Sequence, residues 1–464
     1  MQKYIRRRAG ILTIGKNPFT IGKTLSALCQ KRQPVKTIDP ARSDCNTYVI
    51  LKAGGRALIR LSARLSQFCS LGLIVYICFM NFQLTAVSNA QHIRQFLELP
   101  LKIYKDDPNW IRPLDKDIEE VFNPEKNKFF KQGNCERWLL LNEQKEVIGR
   151  IAAFTNKKYK QTQPTGGIGF FECINDQAAA DFMFDHCREW LRAQGMEAMD
   201  GPINFGERDR WWGLVIEGFY EPLYCMNYNP PYYKTLFEHY GFQVYFNQEC
   251  FGMKVIYEFQ DKFYTRHEEL SRNKDLHAER VLKKNLVKYA KDFAYVYNKA
   301  WASHGEGKTM DERQAIKIFK SMKPVMDEKL NWFVYHKEEP VACWINLPDL
   351  NQYFKHLNGK FGLLQKLKFL WLQRFGKCER SLGIVFGVVP EWQGKGMDAY
   401  LILEGSKVIC FETPYKDYEM QWIGDFNPKM INVAQNLGAH VTRRLSTYRY
   451  LFDREKEFKR HPML

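Results

Sequence analysis

Residues 382–411 constrain the fold of this chain more than any other stretch. The apolar run from Leu382 to Val389 passes through Pro390 into a glycine-rich turn, and a helical pattern follows directly. Such a turn directs several backbone N–H groups to one point, where the helix N-terminus adds its positive dipole. Gly394 and Gly396 leave room for a ligand to approach the backbone. The sequence therefore predicts a strand, a turn that seats a pyrophosphate, and a helix.

The lead-in to the turn makes the motif more specific. In the GNAT N-acyltransferase superfamily the signature Gln/Arg-x-x-Gly-x-Gly/Ala joins a strand to a helix. The run Val388-Val-Pro-Glu-Trp-Gln-Gly-Lys-Gly396 resembles its closely related variant, Arg/Gln-Gly-x-Gly after Val-x-Pro-x-x. Downstream, Trp422 to Asn427 and a helix that ends at Leu437-Gly438 are similar to the family's next strand, its Asn and its next helix. The resemblance covers about residues 82–455 and is strong only at 382–450.

The resemblance implies that acetyl-CoA or another acyl-CoA is a co-substrate. The backbone at 393–398 would hold the pyrophosphate, and the strand at 386–389 would pair with the pantetheine arm. Asp398 stands where the family usually has Gly or Ala, and a carboxylate beside a diphosphate is unfavourable unless it points away. The cofactor contacts implied in this way are Val388, Val389, Gln393, Gly394, Lys395, Gly396, Met397, Asp398 and Asn427.

The motif does not identify the residues that would perform acyl transfer. The reaction needs a base for the amine and an acid for the departing thiolate. Many members of the resembled family place a Tyr seven residues after the Asn, where this chain has Ala434. The remaining candidates are Tyr448 and Tyr450, which also suit core packing on a closing strand, and Asp349.

A short polar segment after a strand is a candidate for acceptor binding. Asn351 and Gln352 are its predicted substrate contacts, and the alternative is an ordinary polar turn. The loop Arg208 to Trp212 combines charge with large aromatic side chains. It suits either a cleft between two halves or a packing loop.

Elements of the same type recur in the same order twice along the chain. The pattern predicts an α/β fold with a mixed α+β sheet and two copies of one unit, at 81–257 and 258–464. The resemblance implies that these are two tandem acyl-CoA N-acyltransferase-like domains. The first is predicted to be degenerate, because no glycine-rich turn follows its strand Gly166 to Cys173, and we do not expect it to bind CoA. Residues 263–300 are predicted to be helical.

Residues 1–80 differ in character from the rest. They carry six Lys and eight Arg against two Asp and no Glu, which accounts for 12 of the 17 net positive charges. The apolar run 68–80 is shorter than the roughly 20 residues that a membrane span needs. The run 17–24 resembles a P-loop but lacks its first Gly. A targeting extension, a membrane-surface anchor and translated upstream sequence before a true start at Met80 remain open, and we favour the last.

Several classes of partner are not indicated. The excess of positive charge lies mostly outside the predicted domains, so we do not expect nucleic-acid binding. Membrane contact is expected only if residues 1–80 are part of the mature protein. The 12 Cys are scattered without CxxC pairs, which suggests reduced thiols in the cytoplasm. The ten His show no spacing typical of metal ligands, so no metal is expected.

Two functions of different classes fit these observations. The first is an acyl-CoA-dependent N-acyltransferase, a transferase of acetyl or other acyl groups whose amine acceptor the sequence does not identify. The second is a non-catalytic acyl-CoA-binding or scaffold protein that kept the fold and lost the chemistry. The intact glycines favour the first, whereas Ala434 and Asp398 favour the second.

Overall fold

The computed structural model describes residues 82–157, 163–301 and 309–463, together with two short strands farther upstream. These strands, β1 (Val49–Ile50) and β2 (Leu58–Ile59), pair antiparallel with each other. The P-loop-like run 17–24, the apolar run 68–80 and the proposed start at Met80 lie outside the described residues.

From Phe82 onward the chain forms one compact unit. Its first half alternates helices and strands, with a 3-10 turn at Lys128–Lys131. The elements are β3 (Gln83–Ala86), α1 (Ala90–Ile103), α2 (Asp115–Val121), β4 (Cys135–Leu141), β5 (Val147–Phe154), β6 (Thr165–Cys173), α3 (Gln177–Ala193), β7 (Ala198–Gly201), β8 (Leu214–Glu217), α4 (Tyr233–Tyr240) and β9 (Gln243–Lys254).

The second half follows a similar order, with 3-10 turns at Lys283–Asn285, Glu328–Leu330 and Pro390–Trp392. The elements are α5 (Asp261–Ser271), β10 (Leu276–Arg280), α6 (Leu286–Trp301), α7 (Glu312–Met322), β11 (Trp332–His336), β12 (Glu339–Pro348), α8 (Asn351–Phe354), α9 (Leu363–Phe375), β13 (Arg380–Val388), α10 (Met397–Glu412), β14 (Asp417–Gly424), α11 (Pro428–Asn436) and β15 (His440–Leu451).

One mixed sheet runs through both halves. Its strand order is β10-β11-β12-β13-β14-β9-β15-β7-β6-β5-β4-β3, and β8 pairs with β15 beside this path. In each half three antiparallel strands lead through a helix to a parallel strand: β4-β5-β6, α3 and β7 in the first, β11-β12-β13, α10 and β14 in the second. The predicted α/β class with a mixed sheet and two similar units is confirmed.

The two halves exchange their closing strands. The last strand of the first half, β9, pairs with β14 of the second half. The last strand of the second half, β15, pairs with β7 of the first half and with β9. Each half therefore needs the other to cover the edge of its parallel strand, since an exposed edge leaves a row of unpaired backbone groups. The predicted division near residues 257–262 coincides with the link between β9 and α5 and stays a prediction.

Local sequence explains where several elements begin and end. The Asp176 carboxylate accepts hydrogen bonds from the backbone N–H groups of Ala178 and Ala179 and so caps α3. Gly241 ends α4 at a φ of 108°, which a glycine tolerates. Helix α10 is apolar on nearly all sides, because α5 covers one face while the sheet lies behind the other.

The prediction that residues 263–300 are helical holds at both ends of the range and is wrong between them, where strand β10 lies. Helix α5 stops at Ser271, and the side chain of Asn273 accepts a hydrogen bond from the backbone N–H of Asp275, which turns the chain. Strand β10 then adds an edge to the sheet beside β11. A charged edge strand carries little of the apolar alternation that would distinguish it from a helix.

Candidate functional site

Strands β13 and β14 are paired at one end and separate at the other. Their parallel pairing covers only four steps, from Arg380 opposite Asp417 to Gly383 opposite Met420. On its other side β13 stays paired with β12, and a bulge places Ile384 outside that register. Beyond Gly383 the edge of β13 that faces β14 is therefore unpaired. A β-bulge commonly bends the strand that carries it, which accounts for the divergence of β13 from β14.

A cavity of about 660 Å³ occupies the space where the two strands diverge. Helix α10 borders it over residues 402–410, and α11, the end of β9 and the C-terminal tail complete its walls. Most of the lining side chains are apolar, which is typical of sites for extended organic ligands. They include Ile256, Phe259, Ile384, Val385, Phe386, Ile402, Ile409, Met420, Trp422, Ile423, Phe426, Met430, Val433 and Leu437.

The predicted phosphate turn connects β13 to α10, at the end where the strands lie apart. Gly394 and Gly396 have φ values of 71° and 84°, a region that disfavours other residues. Gly396 is the N-cap of α10, and within the described part of the chain no side chain caps that helix. The backbone N–H groups of its first turn, from Met397 to Ala399, are therefore available to an anion.

The corresponding helix in the first half offers no such site. Asp176 already caps α3, and its carboxylate occupies the position that a phosphate would take. In addition, buried polar side chains fill the space beyond the β6–β7 pairing. Tyr104 and Tyr233 both donate their hydroxyl protons to Glu172 Oε2, at 2.9 and 2.8 Å. Burial raises the pKa of Glu172 above its ordinary value, although Arg150 favours the charged form. These contacts support the prediction that the first copy is degenerate.

Charged side chains surround the turn in the second half. A Cβ built on Gly396 would lie 3.0 Å from Cβ of Arg266, so this arginine of α5 packs directly over the turn. Lys395 is exposed within the turn. Asp398 lies in the first turn of α10 and is half-buried. Two cations and one carboxylate therefore lie close to the proposed phosphate position.

The remaining predicted cofactor residues lie along the same edge. The Val389 N–H donates to Val341 O on β12 at 2.9 Å. Because backbone groups alternate sides along a strand, the polar groups of Val388 point to the open edge. The Val388 carbonyl accepts a hydrogen bond from Gln393 Nε2 at 2.9 Å. Asn427 lines the cavity and caps α11, since its Oδ1 accepts from Met430 N at 3.2 Å.

Asp349, Asn351 and Gln352 lie elsewhere, and each has a structural partner. Asp349 is buried and forms an ion pair with Arg380, whose Nη2 lies 2.7 Å from Oδ2. Burial raises the pKa of Asp349 above its ordinary value, and Arg380 partly offsets this effect. The amide of Asn351 donates to Pro222 O, and Gln352 Oε1 accepts from the backbone of residues 379 and 380. Their proposed catalytic and substrate roles stay predictions that this geometry does not favour.

Tyr448 and Tyr450 are buried in the first-half core. Tyr448 packs against Phe237 and donates to Glu238 Oε1 at 3.1 Å. The ring of Tyr450 packs against Tyr240 at 4.8 Å. Neither lines the cavity. The packing interpretation of these residues therefore fits their positions better than a catalytic one.

The structure adds residues that the sequence did not single out. Arg266 and His461 are distant in sequence from the motif, so only the fold brings them to the turn and the cavity. The His461 ring stacks on Phe426 at a centroid distance of 4.2 Å. Arg208 of the suggested cleft loop also lines the cavity, and its carbonyl accepts from Trp422 Nε1 at 3.3 Å.

Two features are absent from the part of the chain that the structure describes. Within the described ranges, no group of three His, Cys, Asp or Glu side chains is arranged to hold a metal ion. In the same ranges, every helix is too short or too polar to cross a bilayer.

The chain is similar to several known proteins, although no family model matches it. It is 25% identical over 375 residues to a bacterial ceramide synthase of Caulobacter vibrioides. The aligned region covers 76% of this chain and 93% of the relative. It is 23% identical over 371 residues to the protein YghO of Escherichia coli, which spans 78% of this chain and 93% of that protein.

Among solved structures, the glucosamine N-acetyltransferase region of a fungal multi-domain β-N-acetylglucosaminidase superposes with a TM-score of 0.50. It is 11% identical and covers 82% of this chain and 39% of that one. That region is of the GNAT type, and at this identity the likeness concerns the fold alone. Two units with a similar strand and helix order share one sheet here. The chain therefore has a GNAT-like fold with tandem domains.

Proposed function

We propose that this chain transfers an acyl group from an acyl-CoA to an amine. The proposal rests on the separation of β13 from β14 beside the glycine turn. In the described part of the chain, no side chain caps the helix that follows this turn. The turn would bind the pyrophosphate through the N–H groups of residues 396–399, supported by Arg266 and Lys395. The open edge of β13 would pair with the amides of the pantetheine arm. The apolar cavity would hold the acyl chain.

The acceptor that we propose is the amine of a long-chain amino alcohol. A ceramide is the N-acyl product of such an amine, and the chain is similar to a bacterial ceramide synthase over most of the length of both proteins. A cavity of about 660 Å³ with mainly apolar walls also suits ligands with hydrocarbon chains better than small polar amines.

The chain's own residues suggest how the reaction would proceed. The amine nitrogen forms a bond to the thioester carbonyl carbon, the carbon–sulfur bond breaks, and coenzyme A leaves as the thiol. The Val388 N–H points to the open edge and would donate to the oxyanion. His461 is a candidate to take up the amine proton. His461 lines the cavity, and its Nδ1 lies 2.8 Å from Pro462 O.

Matched variants at one glycine test the proposal. Gly394 has open space around its missing Cβ, so Gly394→Glu and Gly394→Gln bear the same backbone strain and differ only in charge. We expect acyl-CoA to raise the melting temperature of the wild type, less so of Gly394→Gln, and not of Gly394→Glu. Thiol release should require a long-chain amino alcohol. The absence of any stabilisation by acetyl-CoA or longer acyl-CoAs would contradict the whole proposal.

One observation favours the second candidate, a protein that binds acyl-CoA without turnover. Ala434 stands where the resembled family has its tyrosine, and its methyl group is buried in a small cluster with Phe251 and Ile423. No hydroxyl is therefore available from that position of α11. Thermal stabilisation by acyl-CoA without thiol release across a panel of amines would select this alternative.

A further inference from the structure

Helix α9 exposes an unusual amount of apolar surface. Six large side chains of this 13-residue helix are each more than half exposed. They are Leu363 at 75%, Leu364 at 75%, Leu367 at 57%, Leu370 at 58%, Trp371 at 58% and Phe375 at 66%. At about 100° per residue these positions form one continuous stripe, which we call the α9 apolar stripe. A contiguous exposed patch of this kind marks an interaction site.

The stripe faces away from the protein because the opposite side of the helix is already packed. Phe369 and Leu372 are buried, and the Phe369 ring packs against Tyr353, Phe354 and Phe361 at centroid distances of 5.4 to 5.8 Å. Gln373 Nε2 donates to Pro324 O at 3.3 Å on the same side. The helix is therefore fixed in orientation, and it presents leucine and tryptophan outwards.

The charged residues of the segment that carries the stripe have one sign. The segment from Asn351 to Cys378 contains no Asp or Glu. On the helix, Lys366 and Lys368 border the stripe on opposite sides, and Arg374 lies over the Phe375 ring at 5.3 Å. The cations of the segment are Lys360, Lys366, Lys368, Arg374, Lys377 and Lys355, the last of which forms an ion pair with Glu221. Lysine and arginine around exposed Leu, Trp and Phe are typical of helices that lie in a membrane interface.

We propose that α9 docks the protein on an anionic lipid bilayer. The helix lies in the plane of the surface, the α9 apolar stripe enters the boundary between headgroups and acyl chains, and the surrounding cations contact acidic headgroups. This docking does not depend on the proposed acyl transfer. It also departs from the expectation that membrane contact would require residues 1–80.

Charge complementarity favours a bilayer over two other occupants. A second copy would bring the same cations face to face across a symmetric contact, with 17 net positive charges on each chain. Residues 1–80 contain an apolar run but carry an excess of 12 positive charges. Both would meet repulsion at the rim of the stripe, whereas an anionic surface would be attracted to it.

Vesicle binding by the full chain tests the proposal. We expect sedimentation with phosphatidylglycerol vesicles at low salt, and weak sedimentation with phosphatidylcholine vesicles. A triple variant with Leu363→Gln, Leu367→Gln and Trp371→Gln should bind anionic vesicles about tenfold or more weakly. All three side chains are exposed, so the melting temperature should be unchanged. Phe411→Gln, 74% exposed on α10, is the matched control and should bind like the wild type.

A second measurement identifies what covers the stripe. A photoreactive benzophenone amino acid at position 367 should cross-link to lipid when anionic vesicles are present. Cross-links to a second copy or to residues 1–80 that persist with vesicles would overturn the proposal. Undiminished binding by the triple variant, or equal binding to phosphatidylcholine, would overturn it as well.

Discussion

The hydroxyl oxygen of Tyr418 lies 2.1 Å from the position that a Cβ would occupy on Gly383. This hydroxyl accepts a hydrogen bond from Trp344 Nε1 and donates one to Asn346 Oδ1, both at 2.9 Å. Burial raises the pKa of Tyr418, so the phenol stays protonated and continues to donate. The contact sits where β13 and β14 begin to separate, and the missing side chain of Gly383 allows it.

Gly383→Ala should therefore disturb the opening between the strands. The added methyl group forces Tyr418 away from its two partners, and we expect a loss of about 1–3 kcal/mol in the free energy of unfolding. Urea denaturation measures this loss, and thermal shift should show reduced stabilisation by acyl-CoA. Gly362→Ala is the control, because its Cβ would meet only the flexible end of Gln365 at 3.0 Å. Equal stability of the two variants would contradict the assigned contact.

The strand–turn–helix was predictable because its information is local. Residues 382–396 combine an apolar run, Pro390 and two glycines whose positive φ values the structure shows. The approach of Arg266 to Gly396 was not predictable, since the two belong to different elements and meet only through the packing of α5 on α10. The same holds for His461, which reaches the cavity from the C-terminal tail.

The exchange of closing strands was not predictable from the sequence pattern either. The similar endings at 239–255 and 436–452 predict two copies, but pairing partners in a sheet depend on tertiary contacts rather than on local periodicity. Helix α9 was not predicted, for a different reason. Its sequence from Leu363 to Phe375 is apolar around most of the helix, so it shows no clear division between an inner and an outer face.

Arg266 should contribute to the affinity for acyl-CoA through charge. We expect Arg266→Gln to weaken binding by about 1 kcal/mol, or roughly fivefold, and to reduce the salt dependence of the affinity. Isothermal titration with CoA at two salt concentrations measures both effects. Arg272→Gln on the same helix is the control, since that arginine pairs with Glu268 on the surface. An unchanged salt dependence in Arg266→Gln would place the phosphates elsewhere.

Asp398, in contrast to Arg266, should lower the affinity for CoA. Its carboxylate lies in the first turn of α10, where it interacts favourably with the helix dipole but would repel a bound diphosphate. Asp398→Asn should therefore raise the affinity for CoA by about 0.5–1 kcal/mol while slightly lowering the stability of the free protein. Titration calorimetry and thermal unfolding report the two changes. Weaker CoA binding by Asp398→Asn would mean that the carboxylate helps to order the turn.

The ion pair between Arg380 and Asp349 should matter for stability rather than for binding. Arg380→Met leaves a carboxylate buried without its partner, at a cost of about 3–5 kcal/mol. Burial raises the folded-state pKa of Asp349, and loss of Arg380 raises it further. A group whose pKa is higher in the folded than in the unfolded protein stabilises the folded state at low pH. This stabilisation is lost as the pH rises through the folded-state pKa.

The stability difference between wild type and Arg380→Met should consequently grow from about pH 4 to pH 7. Urea denaturation at both pH values measures it. Arg94→Met removes an exposed pair with Glu98 and should cost less than about 1 kcal/mol at either pH. A difference that is independent of pH would show that Asp349 keeps the same protonation state in both proteins.

Cys410 offers a test of where the acyl chain lies. Its thiol lines the cavity on α10, and burial raises its pKa, so alkylation should be slow near neutral pH and faster at higher pH.

Saturating palmitoyl-CoA should slow the modification of Cys410 by about tenfold or more, because bound ligand shields the thiol. Acetyl-CoA should protect less, since its short chain leaves the space beside Ile409 unfilled. Mass spectrometry of alkylated peptides reads out each site. Cys135 does not line the cavity, and burial raises its pKa as well, so its slow alkylation should be equal in all samples. Equal protection by both thioesters would mean that the cavity holds the pantetheine arm rather than the acyl chain.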